Sequence, residues 1–194
     1  MTTSKTRAKS RQQKRRNPAR CIVTGFDPFG NEKENPTEKM VALFPDKLNI
    51  GSLGKVAIDK AVLPTCCKAS WKELKRLLKA QKGEETALVM TGLASMRDHI
   101  SLEYVALNLR EYRINDNQGH QHERQLLYKN GENAIFCDLP LDKLQKQLAG
   151  KGYPCQISYH AGTFVCNEIY YRACRYRQTH KNISSVLFVH VPGL

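Results

Sequence analysis

Short apolar runs and amphipathic stretches alternate along most of the chain. Residues 21–24 form an apolar run ended by Gly25, the pattern of a buried strand. Pro36 opens a stretch with Met40, Val41 and Leu43 on it, which predicts a helix starting at the proline. Residues 56–63 alternate imperfectly and stop at Pro64, predicting a further strand. Trp71, Leu74, Leu77 and Leu78 recur at helical spacing with Lys and Arg between them. Residues 86–91 (TALVMT) read as a buried strand closed by Gly92. Leu141, Leu144 and Leu148 share a helix face that Gly150 and Gly152 bring to an end. Residues 155–159 predict a short strand, 164–176 a helix and 186–191 (VLFVHV) a last buried strand halted by Pro192. Strands alternating with helices predict an α/β fold with a largely parallel sheet. Residues 103–137 are less regular. Asn115-Asp116-Asn117 and Gly119 form a polar turn cluster there, with room for an extra hairpin.

Composition narrows this picture. With 194 residues, 41% hydrophobic and 25% charged, the chain has the make-up of one globular domain plus a tail, which excludes wholesale disorder. No apolar run approaches the roughly 18 residues of a membrane-crossing helix. The net charge of +13 is concentrated at the front: Lys5, Arg7, Lys9, Arg11, Lys14, Arg15, Arg16 and Arg20 supply eight positive charges without an acid among them. Residues 1–19 are therefore read as a basic, disordered extension and 20–194 as the folded body. A transit peptide, a nucleic-acid-binding arm and a plain solvated tail compete for the extension. The first wants regularly placed large apolar residues, which this stretch lacks beyond Met1, and the solvated tail is preferred. The body shows no basic helix or aromatic–basic stripe for nucleic-acid readout. The seven cysteines are odd in number and no secretory signal precedes them, which points to a reducing, cytoplasmic setting. Neither a Cys-x-x-Cys pair nor a His/Cys knuckle spacing occurs, so no structural zinc site is expected.

Three residues could carry chemistry. Cys166 sits in His160-Ala161-Gly162-Thr163-Phe164-Val165-Cys166-Asn167, where a Gly-containing turn passes into a helix. A thiol at a helix N-terminus is expected to have its pKa lowered by the helix dipole; a buried packing cysteine is the plainer reading. His190 lies at the C-terminal end of an apolar strand, the end that faces the ligand crevice in open α/β sheets; a hydrogen-bonded core histidine is the alternative. Glu103 stands among apolar neighbours and could orient an imidazole, or be an ordinary surface charge. Thr24-Gly25-Phe26-Asp27-Pro28-Phe29-Gly30 follows the first strand without the glycines of a dinucleotide or phosphate loop. Its two phenylalanines, if exposed, would suit a flat, uncharged ligand; a loop tucked into the core is the alternative.

TGFDPFG followed by Asn35-Pro36, then GLASMRDHISLEYVALN, AGTFVCN and FVHVP, in this order, resemble the type I pyroglutamyl peptidases, and the resemblance covers about residues 20–194. It implies a three-layer α/β/α sandwich around a mostly parallel twisted sheet, and a homo-oligomer, tetramer or dimer. It also implies a cysteine peptidase that removes an N-terminal pyroglutamyl residue from peptides without metal or organic cofactor. On matching positions Cys166 is the nucleophile, His190 the general base and acid, and Glu103 the residue that orients the imidazole. The substrate pocket maps to Phe26, Phe29, Thr65, Ile114, Phe164 and Val165, with Arg113 beside the oxyanion site. The chain departs from the family pattern at Asp27, at Leu93, Ser95 and Met96, in its basic extension, and in stopping four residues after His190. The short end leaves a catalytically impaired relative as a second reading, and the basic extension a nucleic-acid-binding protein as a third.

Overall fold

A computed structural model describes residues 18–51 and 54–193. The basic extension, read over 1–19, lies almost wholly outside them. In chain order the elements are β1 (Arg20–Phe26), α1 (Pro36–Leu43), β2 (Lys47–Ile50), β3 (Gly54–Leu63), α2 (Cys67–Ala80), β4 (Thr86–Leu93), β5 (Ile100–Glu103), β6 (Val105–Leu107), β7 (Ala134–Phe136), α3 (Leu141–Ala149), β8 (Cys155–Ser158), α4 (Val165–Thr179) and β9 (Ile183–Val191). Seven strands form one sheet in the order β2-β3-β1-β4-β9-β5-β8. The pairs β1–β3, β1–β4, β4–β9 and β5–β8 are parallel, while β2–β3 and β5–β9 are antiparallel.

Helices cover both faces. Alternate residues of β1 go to opposite sides: Ile22 joins Leu88, Met90, Val186 and Phe188 under Leu74 and Leu77 of α2 and Val165, Ile169 and Tyr170 of α4, whereas Val23 joins Val56 and Ile58 under Val41 of α1. On α1's side of the sheet, farther along, Leu102 and Cys155 pack with Leu141 of α3, and Leu187 and Val189 lie against them. This is the three-layer α/β/α sandwich expected from the resemblance.

Two strands run past the glycines expected to end them. β1 continues through Gly25 to Phe26, and β4 through Gly92 to Leu93. Each glycine admits a neighbour rather than ending a strand. A Cβ on Gly25 would collide with the Thr37 carbonyl at the start of α1, and one on Gly92 would sit 3.0 Å from the Cys166 sulfur and 3.0 Å from the Phe188 ring. The irregular stretch holds a small antiparallel sheet of β6 and β7, but the polar turn cluster is not its tip. That cluster instead closes a loop pinched by an Arg110–Gln125 bridge.

Candidate active site

β9 is the centre of the site because it pairs with β4 on one side and β5 on the other. Its antiparallel register with β5 places Ser101 opposite His190 and Glu103 opposite Phe188. Glu103 and His190 are thus diagonal neighbours across two strands, 87 residues apart in sequence. His190 Nδ1 lies 2.7 Å from Glu103 Oε1, and both side chains are buried. The same oxygen accepts from Arg97 Nη1 at 2.8 Å. Burial alone would raise the Glu103 pKa. The hydrogen bond and charge of His190, with further bonds from Ser158 and Arg97, outweigh it and hold the carboxyl below its ordinary range. An ionised carboxylate only accepts, so Nδ1 carries the proton and Nε2 is the free imidazole nitrogen.

Cys166 is the second residue of α4. Gly92 and His190 are register partners on β4 and β9, and the Cys166 sulfur rests over Gly92. The thiol therefore lies beside the His190 position on the face that α4 covers. Its pKa is not lowered, contrary to the helix-terminus expectation. Burial, and secondarily the charge of Glu103, push it up to about 12, against a smaller lowering from the Cys166 backbone. Burial at this position thus favours the neutral Cys166 thiol over the thiolate.

Asn167, next in sequence, fixes the start of α4. Its side chain accepts from Leu107 N at 2.9 Å and donates to Leu107 O and Leu109 O at 3.0 and 2.8 Å. Glu111 and Thr163 bond twice, Glu111 N to Thr163 O and Thr163 Oγ1 to Glu111 O. These bonds hold the segment bearing Arg113 against the turn that precedes Cys166. Arg113 is exposed and lines an open depression with Tyr112, Glu123, Arg124 and Thr163.

The residues mapped to the pocket divide into two sets. Phe26 and Val165 are buried in the main core, with Phe26 packed 6.4 Å from Phe188. Phe29 and Phe164 are half-buried with ring centroids 5.8 Å apart, and Ile114 packs close to Gly30 beside them. Phe164 also meets Tyr112 edge-on at 4.7 Å. Thr65 is buried and ties down the front turn: its N–H donates to Asp27 Oδ1 and its hydroxyl to Asp27 O. Asn117 braces the same turn through Asp27 Oδ1 and Pro28 O. Sequence reasoning missed Arg97, Asn117, Asn167 and the role of Gly92. Only Asn167, adjacent to the cysteine, carried a local signal.

The Pyroglutamyl peptidase family profile matches residues 19–194. The chain is 36% identical over 177 residues to a pyrrolidone-carboxylate peptidase of Fusobacterium nucleatum, covering 90% of this chain and 78% of that one. It is also 36% identical over 174 residues to that of Coprothermobacter proteolyticus, covering 90% and 81%. Among solved structures, pyrrolidone carboxyl peptidase from Pyrococcus furiosus superposes with a TM-score of 0.83 at 32% identity, over 90% of this chain and 81% of that one. The Thermococcus litoralis structure gives the same score and identity over 89% and 76%. With motifs, fold and relatives in agreement, the chain belongs to the pyroglutamyl peptidase family.

Proposed function

We propose that this chain hydrolyses the amide bond after an N-terminal pyroglutamyl residue of a peptide, with Cys166 as nucleophile, His190 as proton carrier and Glu103 as the group that orients it. The reading rests on one observation: the buried Glu103–His190 pair at the C-terminal edge of the sheet, beside a thiol seated over Gly92.

The resting thiol is protonated, so attack needs a base. His190 Nε2 takes the Sγ proton as sulfur bonds to the pyroglutamyl carbonyl carbon. Negative charge moves onto the carbonyl oxygen, where the Cys166 N–H at the start of α4 and the cation of Arg113 can meet it. Collapse breaks the C–N bond, and the imidazolium gives its proton to the departing amine. Water then attacks the thioester, losing its proton to His190. The C–S bond breaks, pyroglutamate leaves, and the proton returns to sulfur. Glu103 stays ionised and stabilises the imidazolium through both halves.

Specificity follows from what the pocket offers. Pyroglutamate is a flat, neutral lactam without a free amine. Phe29, Phe164 and Ile114 present apolar surface for its ring, held in place by the turn that Thr65 and Asn117 brace. No carboxylate among these residues awaits an ammonium group. Action in the cytoplasm and assembly as a dimer or tetramer belong to the same reading. They are supported by the seven free cysteines and by family resemblance, and light scattering of the purified chain measures the assembly.

Release of coumarin from a pyroglutamyl amide tests the activity, beside a glutamyl amide with a free amine and a Cys166→Ala control. Cleavage of the lactam substrate alone, lost in the variant, is expected. A folded protein that cleaves neither substrate is instead the catalytically impaired relative.

A further inference from the structure

A second cluster of metal-competent side chains lies away from the catalytic pair, where α2 begins under the loop of residues 111–125. Cys66, at the N-cap of α2, is fully buried and Asp116 is 4% exposed. A sulfur of Cys66, a carboxylate oxygen of Asp116 and an imidazole nitrogen of His120 all lie within 4.8 Å of one another. Asp116 Oδ1 is already 3.3 Å from His120 Nδ1. Two ligand atoms bound tetrahedrally at roughly 2.0–2.1 Å from zinc sit about 3.4 Å apart, so this edge needs no rearrangement. The Cys66 thiol donates to Gln118 Oε1 at 2.9 Å.

We infer that Cys66, Asp116 and His120 form a binding site for one borderline-soft divalent cation of the zinc class, separate from the catalytic residues. Sulfur, imidazole and carboxylate together match zinc chemistry, whereas calcium and magnesium would want an all-oxygen shell. Charge balance supports the assignment. A thiolate and a carboxylate cancel a dication exactly where isolated buried charge would be costly. Binding expels the Cys66 thiol proton to solvent. No spacing motif announces the site, because Cys66 and the Asp116–His120 pair come from distant parts of the chain. Its effect is structural. Asn117, between two of these residues, donates to Asp27 and Pro28, and its N–H donates to Thr65 O. A bound cation therefore fastens the loop that braces the front turn.

Cobalt titration tests this without reference to activity. The full chain carrying Cys166→Ala, which removes the catalytic thiol, is stripped with chelator and titrated with Co(II). The expected result is a near-ultraviolet sulfur-to-cobalt charge-transfer band saturating at one equivalent and erased by zinc. The band should vanish when Cys66→Ser is added. With His120→Ala, affinity should fall by at least the roughly tenfold that losing a supporting partner costs. Zinc should raise the melting midpoint of the Cys166→Ala protein. Three outcomes overturn the proposal: no band in a protein with native circular dichroism, a band that survives Cys66→Ser, or one lost only with Cys67→Ser, whose sulfur lies 3.8 Å from His122. If Cys66→Ser fails to fold, Asp116→Asn and His120→Ala decide. Unchanged affinity in both refutes the site.

Discussion

Replacing Glu103 by Gln isolates charge from shape in the proposed catalytic group. The glutamine oxygen can still accept from His190 Nδ1 and Arg97 as Glu103 Oε1 does, so the imidazole keeps its orientation and tautomer. What disappears is the negative charge facing the imidazolium during catalysis. At the observed 2.7 Å, an effective dielectric of about 20 sets a ceiling of about 6 kcal/mol on that interaction. Two features move the net loss in opposite directions. The residual hydrogen bond recovers part of the energy. Arg97, still hydrogen-bonded but no longer facing an anion, becomes an uncompensated positive charge near the imidazolium and adds to the penalty. Roughly 3–5 kcal/mol of transition-state stabilisation should be lost, a fall in kcat of about 10²–10⁴. KM should change little, because the carboxylate lies behind the imidazole rather than in the pocket. Steady-state cleavage of the pyroglutamyl coumarin amide across pH measures both constants. A folded Glu103→Gln protein with kcat within tenfold of the parent would show that Glu103 does not support His190 electrostatically.

Other predictions concern packing and protonation. Gly92→Ala places a methyl 3.0 Å from both the Cys166 sulfur and the Phe188 ring; it should cost about 1–3 kcal/mol in thermal or urea unfolding and about 10²-fold in kcat, and parental kcat would mean the sulfur does not rest on that strand. Because burial pushes the Cys166 thiol up to about 12, its iodoacetamide labelling in the free protein, followed by mass spectrometry, should keep accelerating from pH 8 to pH 10; a plateau near neutrality would reveal a preformed thiolate. Glu168→Ala removes a fully buried carboxylate that accepts from Tyr112 and Arg172 and lies 3.7 Å from Arg110. Denaturant unfolding should register a loss on the order of 3 kcal/mol, since the arginines are only partly exposed and lose their shared partner.

Most of the layer architecture was legible because buried strands and amphipathic helices leave different periods in the sequence. α1 begins at the proline that predicts its start, and β3 stops before Pro64 as expected. The errors share a cause. Gly25 and Gly92 read as strand ends from local propensity, yet they are strand residues whose lack of a side chain admits another segment. Close approach is a tertiary fact that no window of the sequence contains. The same holds for the thiol: a helix N-terminus is local and readable, but the burial that overrides it is not. Glu103 looked equally like a surface charge, and only the register of β5 on β9 shows that it meets His190. Arg97 had no pattern to mark it, since its partner is defined by folding alone.

The place of β9 in the sheet bears on how the chain is born. Among the described residues it comes last of the sheet's strands in chain order, yet it lies between β4 and β5, which are made long before it. A growing chain emerging from the ribosome can pair β3, β1 and β4, and separately β5 with β8, but it leaves two open edges with a slot between them. Those edges are the sticky part of the nascent protein, and they face each other across the gap that β9 fills. Since that strand also carries His190, a chain not yet extended to β9 lacks the imidazole proposed to move the proton. Peptidase activity during synthesis would therefore report completed sheets and nothing earlier, and a protein that misassembles at this step would be silent rather than indiscriminate.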